Sequence, residues 1–176
     1  MAAAKRLLVQ TGFQVTTPRH LERNLLLDTA SGTLRQAGVV LRVRQANGDT
    51  IVTYKSKGTV TGHHKVREEL EVGATDLAGT LAIFERLGYR PTFRYEKYRT
   101  IYARTRERGH AMLDETPMGA YLELEGPPRW IDRMAKLLGF NESDYVTASY
   151  GALWAERRKI AGLPVCDFVF PPRRKA

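Results

Sequence analysis

Cysteine is almost missing from these 176 residues. Cys166 stands alone, which excludes an internal disulfide and fits a reducing compartment. No apolar run is long enough to cross a bilayer. The opening Met-Ala-Ala-Ala-Lys-Arg-Leu-Leu-Val turns polar too early for a secretory signal, so the expected location is cytoplasmic, with no membrane partner. Tandem repeats and low-complexity stretches are absent. Negative charge is scarce: 19 Asp and Glu stand against 28 Lys and Arg, for a net charge of +9. Such an excess aids solubility, and it also points to an anionic partner such as a phosphate compound, nucleic acid or an acidic surface. The length suits a single domain over residues 1–176, with a core at about 13–155 and a C-terminal tail over 162–176.

What the chain does have is alternation. Residues 40–55 read VLRVRQANGDTIVTYK, two β-branched runs around Asn47-Gly48. That dipeptide suits a two-residue type I′ turn, in which both central residues need positive φ. With Ala46 opposite Asp49, counting back places Arg44 opposite Ile51, Arg42 opposite Thr53 and Val40 opposite Lys55. Arg42, Arg44 and Lys55 then project from one face, and Leu41, Val43, Val52 and Tyr54 from the other, which should pack.

Around the hairpin, periodicity predicts a helix over 2–11 stopped by Gly12, a break at Thr16-Thr17-Pro18, a strand over 20–28 and a turn over 29–38. Residues 57–62 read as a loop and 63–72 as a strand. A helix over 76–87 with Leu77, Leu81, Phe84 and Leu87 inward follows, then a strand over 93–103. Strands over 110–115 and 120–125 flank a Thr-Pro-Met-Gly turn. Helices are expected over 127–138, with Trp130 and Met134 inward, and over 147–161. The Arg157-Arg158-Lys159 run and the closing Pro-Pro-Arg-Arg-Lys-Ala read as solvated. Glu123 and Glu125 share a face; a four-residue loop places Asp114 with them and a three-residue loop places Glu115 there instead.

Several strands thus carry one apolar and one ionic face. Most ionic strand faces are simply solvated, but here the signs are sorted by strand. If the sheet closes, Arg42, Arg44, Lys55, Lys65, Arg67, Lys97 and Arg99 share an interior with Glu69, Glu71, Asp114, Glu123 and Glu125. Such an interior must be hydrated, because isolated buried ions are costly. It would match a polyanion with divalent cations: arginines contact phosphate oxygens in pairs, and carboxylates at i, i+2 supply hard oxygen ligands. His63 and His64 are adjacent and point oppositely on a strand, so they cannot chelate together, and Cys166 has no evident histidine partner.

LRVR, TYK, KVREELEV, RYEKYRT, MLDE and LELEG, in that order, resemble the CYTH superfamily, the triphosphate tunnel metalloenzymes, over residues 21–153. The resemblance implies an α+β fold: an antiparallel β-barrel or tunnel of eight strands with helices packed outside. It implies that Arg42, Arg44, Lys55, Arg67, Lys97 and Arg99 bind a triphosphate, with Lys55 and Arg99 catalytic. It further implies that Glu69, Glu71, Asp114, Glu123 and Glu125 hold Mg²⁺ or Mn²⁺, Asp114 being preferred to Glu115 on the MLDE stretch. Two features depart from the family. Its Glu-x-Glu-x-Lys front strand has no counterpart, so the start is truncated or misassigned or one tunnel wall is lacking. The tyrosine of some family hydrolases is replaced within Leu25-Leu26-Leu27.

The expected activity is therefore metal-dependent hydrolysis of inorganic triphosphate, thiamine triphosphate or a nucleoside triphosphate. The alternatives are an adenylyl cyclase making cyclic AMP and a non-catalytic binder of polyphosphate or nucleotide. Nucleic acid is disfavoured, because the glutamates would repel its backbone and no aromatic stacking stripe is present. The oligomeric state stays open, a homodimer included.

Overall fold

Backbone pairing follows the hairpin count residue for residue. In the computed structural model, which describes residues 1–172, β2 (Val40–Ala46) and β3 (Asp49–Lys55) pair Ala46 with Asp49, Arg44 with Ile51, Arg42 with Thr53 and Val40 with Lys55. Asn47 and Gly48 take φ values of 53° and 92°, as the tight turn requires. Of the closing hexapeptide expected to be solvated, Arg173 to Ala176 lie outside the described residues.

The other elements are α1 (Ala2–Gln10), β1 (Gln14–Asp28), α2 (Thr33–Ala37), β4 (Thr59–Thr61), β5 (His64–Val66), β6 (Glu69–Ala74) and α3 (Leu77–Arg86), then β7 (Arg90–Ala103), β8 (His110–Thr116), β9 (Gly119–Glu125), α4 (Pro128–Leu137) and α5 (Tyr150–Ile160). β1 runs straight through Thr16-Thr17-Pro18. β2 pairs with Glu22 to Leu27, so Pro18 removes no donor from the β1–β2 ladder. The strand expected over 63–72 is two strands. β5 leaves the main sheet to pair with β4, which occupies the expected loop, and β6 alone continues beside β3. α3 ends at Arg86, which leaves Leu87 outside the helix and 66% exposed rather than inward.

Seven strands form one sheet in the order β6-β3-β2-β1-β7-β8-β9. This corrects the expected barrel: β6 and β9 are the two ends of the order and do not pair with each other, so the sheet is not closed. The reason lies in how the charges are satisfied. Opposite signs sit on adjacent strands and neutralise one another within the sheet (Glu71 directly opposite Thr53 beside Arg42, Glu69 opposite Lys55, Asp114 opposite Arg99), so the ionic faces need no facing wall. Closure also needs matched strand number, tilt and stagger, and the β4–β5 hairpin spends its two strands elsewhere.

The chain divides into two compact units. One comprises Met1–His20 and Lys97–Thr147. Its core joins Leu8 of α1, Phe13, Tyr102, Ala111 and Leu113 to Trp130, Met134 and Leu138 from α4 and its end. α4 starts on Pro128, whose missing N–H matches an unneeded helix donor, and stops before Gly139 at φ 83°. The other comprises Leu21–Glu96 and residues 148–172. There Leu27, Val43 and Phe168 are buried. Phe168 forms a parallel bridge with Tyr95, sets its ring centroid 5.1 Å from that of Trp154 at a tilt of 37°, and exchanges backbone hydrogen bonds with Arg94 and Glu96.

Candidate functional site: two ion-pair clusters on charged strand faces

In the unit built on β2 and β3, alternation brings Arg42, Arg44 and Lys55 to one face. Arg42 lies deepest, 6% exposed. Its Nη2 donates to Thr53 Oγ1 at 2.9 Å and to Glu71 Oε1 at 3.0 Å, and Glu69 Oε1 lies 3.7 Å away. Thr53, opposite Arg42 in register and fully buried, donates its hydroxyl to the same Glu71 oxygen at 2.7 Å. Lys55 Nζ pairs with Glu69. Arg44 donates from Nε to Asn24 at 2.8 Å and pairs with buried Glu22 at 3.1 Å. Arg42 Nε is buried and finds no acceptor among the described residues.

The electrostatics follow from this packing. Burial works against the Arg42 charge, but Tyr95, Glu69 and Glu71 outweigh it and raise the pKa. Lys55 moves the other way: burial and the neighbouring Arg42 depress its pKa, opposed by Glu69, and Arg67 adds to the depression. Burial alone would raise the Glu71 pKa; the Thr53 hydroxyl and the cations Arg42, Arg44 and Lys55 pull it below the usual carboxylate range.

In the other unit, Asp114 is fully buried and accepts two bonds from Arg99, at 2.7 and 2.6 Å, and one from Lys97 at 2.8 Å. Arg99 also reaches Glu123. Burial of Asp114 is overcome by Arg99 and Lys97, which hold its pKa low. The β8–β9 register resolves the alternative left open by the sequence. Glu115 pairs with Ala120 across a four-residue loop, which puts Asp114 on the Glu123 face. Glu115 instead receives Arg19 from β1, at 2.7 and 3.0 Å, and Arg19 also stacks on Tyr98.

The structure thus gathers Arg42, Lys55, Glu69 and Glu71, with Arg44 alongside, in one unit, and Lys97, Arg99, Asp114 and Glu123 in the other. Arg67 lies between β5 and β6, outside both ladders. Lys65 sits on the side hairpin and is exposed, and exposed Glu125 pairs in register with His110. Sequence reasoning missed four polar residues of the first cluster: Thr53, Glu22, Asn24 and Tyr95. Thr53 was readable from the hairpin count, and Glu22 and Asn24 from their i, i+2 spacing on β1; the proximity of Tyr95 to Arg42 had no local signal.

The carboxylates do not fit a resident metal as they stand. Among the described residues no group of three Asp, Glu, His or Cys side chains could hold a metal ion, and Glu69, Glu71, Asp114 and Glu123 are each engaged by lysine or arginine. A cleft of about 390 Å³ exists in the unit that holds β2 and β3, lined in part by Leu25, Val43 and Val169. Its arginines Arg23 and Arg94 face Glu96 and Asp167 at 3.3 and 3.6 Å, so it offers an anion little uncompensated charge.

The CYTH domain model matches residues 2–136, well over half the chain. This chain belongs to the CYTH family. Solved CYTH-like folds agree. A candidate adenylate cyclase from Vibrio parahaemolyticus superposes with a TM-score of 0.72 at 20% identity, covering 85% of this chain and 88% of that one. The PH1012 protein of Pyrococcus horikoshii OT3 gives 0.70 at 23% identity, covering 85% and 90%. A candidate adenylyl cyclase from Hippeastrum, described as having a dominant triphosphatase activity, gives 0.64 at 18% identity over 94% and 93%. At these identities the likeness is one of fold. No protein in the curated set matches. No helix among the described residues is long and apolar enough to cross a membrane.

Proposed function

We propose that this CYTH-family chain is an enzyme that binds a triphosphate-containing substrate on the Arg42–Arg44–Lys55 face and hydrolyses it. Arg42 carries the reading: a buried guanidinium whose Nε lacks an acceptor is a donor held ready for an oxyanion. Arg44 and Lys55 project beside it from the same ribbon face. Hydrolysis is preferred to cyclisation because water needs no further recognition contacts, and the Hippeastrum relative is described as mainly a triphosphatase.

In this mechanism Arg42 and Arg44 hold nonbridging phosphate oxygens and stay charged while negative charge shifts onto the departing phosphate. Lys55, with its pKa already depressed, orients the attacking water and withdraws charge from the oxygen that water brings. The water oxygen bonds to the terminal phosphorus, the bridging P–O bond breaks with its electron pair leaving on the remaining phosphate, and the proton passes to solvent or to that product. Arg67, in the same unit, is assigned a supporting phosphate contact. A divalent ion, Mg²⁺ or Mn²⁺, enters no step here, since the carboxylates are cation-bound.

A second reading, binding without turnover, is favoured by the lack of a three-donor metal group among the described residues. Incubation with tripolyphosphate, thiamine triphosphate and ATP, each with Mg²⁺ or Mn²⁺, separates the readings. Release of orthophosphate is expected. Cyclic AMP as the main product would replace hydrolysis by cyclisation, and binding with no turnover of any substrate would leave only the binder.

A further inference from the structure

Two rows of apolar side chains cross the sheet and lose their cover toward β6. Leu25, Val43, Val52 and Val72 stand opposite one another in register; Val43 is 1% exposed and Val72 is 61% exposed. In the next row, Leu27, Leu41, Tyr54 and Leu70, exposure climbs from 3% at Leu27 to 57% at Leu70. β6 is also an end of the sheet, and among the described residues only β3 pairs with it. Its outer backbone N–H and C=O groups are a template for one more strand. The usual protections of such an edge are missing. Glu-Leu-Glu-Val-Gly-Ala contains no lysine or proline. Its two charges lie on the other face, where Arg42 and Lys55 already hold them. At the other end of the order, Leu122 and Leu124 of β9 pack against the core around Trp130 and Met134. The end strand with an uncovered apolar face is therefore β6.

We propose that β6 pairs with β6 of a second copy of this chain, antiparallel about a two-fold axis through Val72, so that two sheets join edge to edge. The segment is its own complement in this register and in none of its neighbours. An axis on Val72 sets Val72 against its copy, Leu70 against Ala74 and Glu71 against Gly73. Gly73 brings no side chain to the ionic face, so Glu71 keeps Arg42 and meets no like charge. An axis on Glu71 would oppose the two copies of that glutamate, and one on Leu70 would oppose Glu69 to Glu71. An axis on Gly73 would set Leu70 against Asp76. The contact spans six residues a side, so the dimer is weak and forms by mass action. It stands apart from the phosphate reading, because it uses the opposite face of the strand.

Sedimentation of the full chain over a roughly hundredfold range of concentration should show a monomer–dimer equilibrium. Val72→Lys sets two ammonium groups against each other on the axis and should weaken association by roughly tenfold or more. Val60→Lys, on the side hairpin and equally exposed at 61%, should leave it unchanged. The register is read by adding an oxidant to cysteine variants in a Cys166→Ser background. Val72→Cys should link to itself, since directly opposed strand residues lie within disulfide reach. Leu70→Cys should not link to itself but should link to Ala74→Cys when the two variants are mixed. Circular dichroism of each variant checks folding, and the cysteine variants carry the test if Val72→Lys fails that check. A monomer at every concentration overturns the proposal, as does association that Val72→Lys leaves intact. Self-linking of Leu70→Cys in place of Val72→Cys overturns the Val72 axis.

Discussion

Thr53 shows how much one uncharged side chain can organise. It is fully buried between β2 and β6, accepts from Arg42 and donates to Glu71, so it sets the distance between a cation and its carboxylate. Asp114 does comparable work in the other unit, where it balances Lys97 and Arg99. Replacing it by Asn leaves two buried cations short of charge, and a loss of about 3–5 kcal/mol at neutral pH is expected from urea midpoints. The sign of its pH dependence is set by a depressed folded-state pKa. The contribution is full above the ordinary value of 3.8 and is lost as pH falls through the lower folded one, so the gap between the unaltered chain and Asp114→Asn should close in acid. Lys55 gives the alkaline counterpart. Burial and Arg42 lower its pKa from 10.5, so it loses its charge earlier than an ordinary lysine and tripolyphosphate binding should fall on the alkaline side. Lys55→Arg should abolish that fall, measured by titrations from about pH 7 to about pH 10.

Elements explain where local reading succeeded and where it slipped. The β2–β3 hairpin was legible to the residue because an Asn-Gly turn and strict alternation fix register locally. The strand expected over 63–72 was not, since the apolar alternation of Val66, Leu70 and Val72 runs on with only Glu68 interrupting it, even though the chain leaves one sheet for another there. The β8–β9 register was ambiguous for the same reason: loop length, not side-chain pattern, decides it. Contacts between elements carry their own expectations. A Cβ at Gly109, just before β8, would stand 2.6 Å from the Trp130 indole, so Gly109→Ala should destabilise the α4 packing by about 1–3 kcal/mol, read from the thermal or urea transition. Phe168→Ala should remove about 3–5 kcal/mol and free the segment after α5, seen as faster proteolysis near Cys166.

At the scale of the whole molecule, the net charge of +9 sets the long-range behaviour. Much of the buried cationic charge is compensated in place by Glu22, Glu69, Glu71, Asp114 and Glu123, so the excess resides largely outside the clusters. Tripolyphosphate association should therefore slow steeply as salt rises, while dissociation, governed by contacts to buried Arg42, changes less; stopped-flow traces at several ionic strengths would separate the two. The unclosed sheet belongs to this scale too. Sorting of charge by strand looked like a demand for an enclosed bore, yet neighbouring strands meet that demand pairwise.

Sequence by itself determined the alternating faces, the hairpin register, the Gly12 stop after α1 and the ordered motifs that mark the CYTH family, because each depends on residues within a few positions of one another. Tertiary structure alone decided which carboxylate meets which cation, that β5 departs from the sheet, that Phe168 returns to β7, and that β6 and β9 do not pair with each other. Those outcomes depend on strand order and on partners tens of residues away, and alternation carries no information about which neighbour a face will meet.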